Sequence, residues 1–236
     1  MNNILLTTLA ILPGLLISFW IFRADKYDRE PVVHLLICFV LGMVSTIPAI
    51  ALEQYAQSLG LNEDGSMWEV FVFAMLGVAL IEEACKYVFL FVYPYRRSFF
   101  NEPMDGIVYM VLIGMGFATL ENIFYAQEYG IQTVIVRAFT AVPAHAAFAV
   151  IMGYYAGLAK FDSKNRFWLF FLGLFLATLL HGMYDFFLMQ NDYPSLMGFA
   201  LVALWIGIRY ARRMIKLHQQ SSPFKEVEEE DIWDVL

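Results

Sequence analysis

The sequence predicts an all-α polytopic membrane protein, a bundle of about seven transmembrane helices, and three observations predict it. Of the 236 residues, 60% are hydrophobic and only 16% are charged, with a mean hydropathy of +0.61. Soluble domains carry nearer a quarter charged residues. Apolar runs of about 20 residues, the length that crosses a 30 Å hydrocarbon layer, recur along the whole chain. Finally, thirteen of the fifteen Lys and Arg fall in alternate connections between those runs.

Taken in order, the spans run near 4 to 22, 32 to 52, 69 to 93, 105 to 127, 134 to 159, 167 to 189 and 195 to 210. The first follows Met1-Asn2-Asn3, which lacks the positive charge of a signal peptide, and its length suits a span rather than a signal h-region. Pro13 and Pro48 lie inside the first two spans and Pro143 inside the fifth, where neighbours or water must repair the lost backbone bond. Gly153 and Gly157, Gly114 and Ala118, and Gly173 and Ala177 place small residues four apart, which allows close helix contact. Cys38 and Cys85 sit in apolar runs and read as small core residues.

The charges orient the bundle. Arg23, Lys26 and Arg29, then Arg96 and Arg97, then Lys160, Lys164 and Arg166, then Arg209 through Lys225 mark cytoplasmic connections. The N-terminus is therefore expected outside and the C-terminus in the cytoplasm. Six acidic residues between Glu226 and Asp234 account for most of the net charge of −7 and leave −1 for the remainder. No basic footprint for nucleic acid exists. The expected division is a transmembrane domain over 1–215 and an acidic cytoplasmic tail over 216–236.

Chemistry enters through charges that a span should not contain. One ionisable group at mid-bilayer costs roughly 3 kcal/mol on insertion scales. The third span holds three within five residues, Glu82-Glu83-Ala84-Cys85-Lys86. Glu82 and Lys86 are four apart and share a helix face, as do Phe117 and Glu121 on the fourth span and His181 and Asp185 on the sixth. His145 on the fifth adds an imidazole. At ~1.5 Å per residue from the outer ends, Glu121 lies at roughly 10 Å, His181 at about 12 Å, His145 near 16 Å and Glu82 near 18 Å. These groups therefore converge in the outer half of the membrane, with Asp185 shallower.

Carboxylates and imidazoles at one depth are the parts for activating water against an amide: a base, oxyanion stabilisers and a metal-ligand set. Glu82 is the expected general base with Glu121 its partner or co-ligand; Glu83, on another face, is either the alternative base or the partner of Lys86 or of a neighbouring helix, and His145, His181 and Asp185 either hold a metal or stabilise the oxyanion. Glu121, His145 and His181 are the expected ligands of a zinc ion, if one is used. Lys86 offsets the buried carboxylates, Phe117 packs, and Arg137 is expected to snorkel or to serve as a structural charge. The bland readings are a helix-gluing Glu-Lys pair and a satisfied core histidine. Convergence of four spans argues against them.

Glu82-Glu83-x-x-Lys86, Phe117-x-x-x-Glu121 and His181-x-x-x-Asp185, in this order on separate spans, resemble the PrsW family of membrane proteases. Gly116 to Asn122 and Lys26-Tyr27-Asp28-Arg29-Glu30-Pro31 carry the same likeness, which runs from about residue 10 to 215. The wider superfamily includes the CAAX prenyl endopeptidases, whose EExxxR, FxxxH and HxxxN pattern this chain does not follow, and the Aph scaffold of gamma-secretase. The resemblance implies a multi-pass protein of the bacterial cell membrane. It also implies site-1 cleavage of a single-span, membrane-anchored anti-sigma factor, in contact with lipid. CAAX enzymes are argued to work without metal, so metal dependence stays open. The alternatives from other classes are a proton-coupled transporter or channel and a non-catalytic Aph-like scaffold.

Overall fold

A computed structural model describes residues 3–190 and 193–225 of the chain. Helix α1 spans Asn3–Ala24 and α2 spans Val32–Ser58. Helix α3 is composite: α-helical over Met67–Val72, π-helical over Phe73–Ala79 and α-helical again over Leu80–Val92. Then follow α4 (Pro103–Tyr129), α5 (Ile131–Phe139), α6 (Ala141–Phe161), α7 (Arg166–Leu188) and α8 (Gly198–Gln220). No strand occurs among the described residues. Six segments are long and apolar enough to cross a membrane, and the third expected span is the composite α3. The chain is an all-α, multi-pass membrane protein.

Local chemistry sets the boundaries. Ser66 and Glu69 form a capping box at the start of α3, with the Ser66 backbone N–H donating to Glu69 Oε2 at 2.7 Å. Pro103 at the first position of α4 loses no intrahelical bond there. Asp105 Oδ2 accepts from the backbone N–H groups of Asn101 and Glu102 at 2.7 and 2.9 Å, satisfying donors that the helix start leaves open.

The fifth expected span is two helices. Gly130, at φ +79°, turns the chain out of α4, and Thr140, at φ −124° and ψ −75°, separates α5 from α6. Pro143 consequently stands in the first turn of α6, where its missing N–H has no helical partner to lose, and not in a helix interior. The seventh expected span ends at 210, but α8 continues to Gln220, because Arg212, Arg213 and Lys216 are good helix formers although polar. Hydropathy marks where apolar residues stop, not where a helix does. The acidic residues 226–236 lie outside the described residues.

Helix α4 is the axis of the bundle, with Ile107, Val108, Tyr109, Met110 and Ile113 fully buried. It packs directly on α6. A Cβ on Gly106 would come within 2.4 Å of the Gly153 carbonyl oxygen, and one on Gly153 would meet the Gly106 oxygen at the same distance. The small-residue stripe of α6 therefore brings two backbones together. Cys38 and Cys85 are buried and unbridged.

Candidate active site

The site begins with helix geometry on α3. Residues three and four apart are surface neighbours, so Lys86 reaches back one turn to both acids: its Nζ is 3.0 Å from Glu82 Oε2 and 2.7 Å from Glu83 Oε1. The two glutamates, expected on different faces, are joined by one long side chain. The π segment just before them widens a turn where Gly182 of α7 presses on Met75; a Cβ on Gly182 would lie 2.4 Å from the Met75 sulfur. Such π turns are frequent at functional sites.

Three other helices complete the cluster. From α6, His145 Nδ1 lies 3.1 Å from Lys86 Nζ and its Nε2 lies 2.9 Å from Glu121 Oε2 on α4. An ammonium only donates, so Nδ1 accepts and Nε2–H donates to Glu121. From α7, His181 Nδ1 is 2.7 Å from Glu83 Oε1 and its Nε2 is 3.2 Å from Asp185 Oδ2, one turn on. Phe148 stacks on the His181 ring at 4.8 Å. Phe117 does more than pack: Lys86 Nζ sits 4.1 Å from its ring centroid, a cation–π contact in a dry site.

Glu82, Glu83, Lys86, His145 and His181 are all at most 5% exposed. The cluster brings every sequence-predicted residue together, with Glu121 and Asp185 at its margins.

Two further residues contribute. Arg137, expected to snorkel or to serve as a structural charge, does the latter and turns inward from α5: its Nη2 lies 2.8 Å from Glu121 Oε2 and its Nε donates to Asn122 Oδ1 at 3.1 Å. Asn122 in turn donates to the Ala10 carbonyl at 3.0 Å, tying α1 to the site, and Tyr125 lies beneath the guanidinium at 3.8 Å. The break at Thr140 makes this possible, because it frees α5 to fold over the end of α4. Glu53 of α2 stands near enough for the charges of Glu82, Glu121, Lys86 and His181 to bear on its carboxyl. Ending the second span at residue 52 hid it, and extending that span by one residue is the signal that would have found it.

Comparisons with known proteins give the family. A family profile described as "PrsW family intramembrane metalloprotease" matches residues 30–210. Protease PrsW of Geobacillus kaustophilus is 36% identical over 201 residues, covering 85% of this chain and 87% of the relative. Protease PrsW of Bacillus subtilis is 35% identical over 206 residues (86% and 92%), and that of Clostridioides difficile 37% over 226 residues (93% and 92%). The chain belongs to the PrsW family. It is a membrane protease, and the transporter and scaffold alternatives fall away. No solved structure matches it.

The family description implies a metal, and the residues can be tested for it. Glu82, Glu83, His145 and His181 each offer one ligand atom, all within 4.8 Å of one another. Two carboxylates and two imidazoles suit a divalent ion, and Glu83 Oε2 is buried without a partner. Glu121 stands outside this group, held by Arg137 and His145. Yet three of the four donor residues already share the Lys86 ammonium, and His181 has both nitrogens on carboxylates. The donor set fits a cation. In this arrangement the cation that three of these residues share is the Lys86 ammonium.

Proposed function

We propose that the chain is an endopeptidase that hydrolyses a peptide bond of a single-span membrane protein, with Glu82 as general base. The observation that carries this reading is the division of labour between the two adjacent glutamates. Glu83 is 1% exposed and committed, one oxygen accepting from both Lys86 and His181. Glu82 is 5% exposed and has Lys86 as its one hydrogen-bond partner, and its other oxygen is open to a water where the second oxygen of Glu83 is fully buried. Glu82 takes that water's proton as the oxygen bonds to the scissile carbonyl carbon. The resulting oxyanion is stabilised by the positive charge of the Lys86 ammonium beside it. As the carbon–nitrogen bond breaks, the proton passes from Glu82 to the leaving amine.

Glu83, Asp185 and Glu121 act one step back, orienting His181 and His145. The resemblance favours a membrane-anchored anti-sigma factor as substrate, cut at site 1 in stress signalling. The distribution of basic residues supports an outward-facing cut, with the N-terminus outside. A second reading, zinc at this site, is favoured by the unpartnered Glu83 Oε2.

The test is co-expression with a tagged single-span substrate that the wild-type chain cleaves. Glu82→Gln keeps the size of the side chain but cannot take a proton, and cleavage is expected to fall at least about 100-fold at unchanged protein level. Retained cleavage in this variant would reject Glu82 as the base.

A further inference from the structure

An ammonium has three N–H donors and no acceptor. Lys86 satisfies all three inside the protein: Glu82 Oε2 at 3.0 Å, Glu83 Oε1 at 2.7 Å and His145 Nδ1 at 3.1 Å. The Phe117 ring lies 4.1 Å away as a further contact. The side chain is 1% exposed. Three of its partners belong to the four residues whose ligand atoms lie within 4.8 Å of one another. A divalent ion held by Glu82, Glu83 and His145 would compete with the ammonium for the His145 Nδ1 lone pair and for the charge of the two carboxylates.

We propose that Lys86 is the resident cation of the site, and that a divalent metal enters only by displacing it. Two carboxylates within a membrane span require compensation by positive charge. A lysine one turn away on the same helix provides it permanently, at no dependence on metal supply. The same feature makes the protein's own side chain a competitor of any metal. Removing the ammonium while keeping an apolar stem of similar length therefore converts the cluster into an empty donor set, with the orphan Glu83 Oε2 as an additional ligand atom. This inference concerns cation binding alone, so its failure is distinct from failure of the protease assignment.

The experiment measures zinc binding to the purified, detergent-solubilised full chain, by elemental analysis after dialysis and by titration with the metal alone. Wild type and Lys86→Met are compared, with Lys86→Arg as the variant that keeps the charge. Lys86→Met is expected to take up one zinc per chain at least tenfold more tightly than wild type, and its thermal unfolding should shift upward with zinc. Lys86→Arg should behave as wild type.

Equal or tighter stoichiometric binding by wild type overturns the proposal, as does absence of binding in Lys86→Met that is folded by circular dichroism. A gain in Lys86→Arg equal to that in Lys86→Met also overturns it, because loosened packing rather than lost charge would then admit the metal. Should Lys86→Met not be recovered folded, Lys86→Gln, which keeps a polar head without charge, answers by the same criteria.

Discussion

Two buried acidic clusters lie in this bundle, and they are held in opposite ways. In the site, Glu82, Glu83, Glu121 and Asp185 are each within 3.2 Å of Lys86, Arg137, His145 or His181. At the basic end of the bundle, Asp25, Glu30, Glu102 and Asp105 are at most 4% exposed, yet no ion pair joins them to a Lys or Arg among the described residues. Asp25 accepts from the Glu30 backbone N–H at 3.2 Å, and Glu30 accepts from the Tyr109 hydroxyl. Arg29 is close but donates to the Asp25 backbone carbonyl, not to its carboxylate. A buried carboxylate without a cation is expensive to ionise. Burial pushes the Asp25 carboxyl up to about 7 and raises those of Glu30 and Glu102 as well. The first cluster is built to keep charge in a dry place, the second to keep protons.

The largest effect should come from removing a cation where cations do the holding. Arg137→Leu leaves Glu121 with His145 as its one partner, and breaking a largely buried pair costs about 3 kcal/mol, the lower end of the usual range because both side chains keep some exposure. Adding Glu121→Gln should recover more than half of that loss. Thermal unfolding of the two single variants and the double variant closes the cycle. A cost under about 0.5 kcal/mol for Arg137→Leu would mean that charge pairing does not hold the site together.

The second cluster should answer to pH instead. A carboxyl whose folded value is raised contributes stability below its unfolded value, near 3.8, and loses it as pH rises through about 7. Wild type should therefore lose about 2 kcal/mol between pH 5 and pH 8. Asp25→Asn, unable to ionise, should flatten that decline and melt above wild type at pH 8. A decline of the same steepness in Asp25→Asn would assign the pH dependence elsewhere.

The difference between the clusters also explains what was legible in the sequence. Glu82, Glu83, His145 and His181 stood out because they interrupt apolar runs, and a 3.6-residue period converts their spacing into shared faces. Lys86 was visible as a partner for the same reason. Arg137 was not, since its inward turn depends on the break at Thr140, which no Gly or Pro at that position announces. Asp25, Glu30, Glu102 and Asp105 fall at span ends, where acidic residues are ordinary. The packing of the α1–α2 connection against the start of α4, closed by the end of α8, buries them. Depth along a helix can be counted from sequence, whereas burial at its ends is decided by the neighbours.

The smallest test sharpens the proton-holding cluster from within. Tyr109 donates to Glu30 from the middle of α4 and is fully buried. Tyr109→Phe removes that donor without changing the ring, and should cost about 1 kcal/mol. The cost should depend on pH in a defined direction. When Glu30 carries its proton, the tyrosine hydroxyl meets a neutral acceptor and the bond is an ordinary one. When it is ionised it only accepts, and the hydroxyl becomes a charge-assisted partner, roughly twice as strong as a neutral one. Melting curves of Tyr109→Phe and wild type should therefore diverge further at pH 8 than at pH 5. An equal gap at both values would show that Glu30 keeps one charge state across the window, and that Asp25 titrates without it.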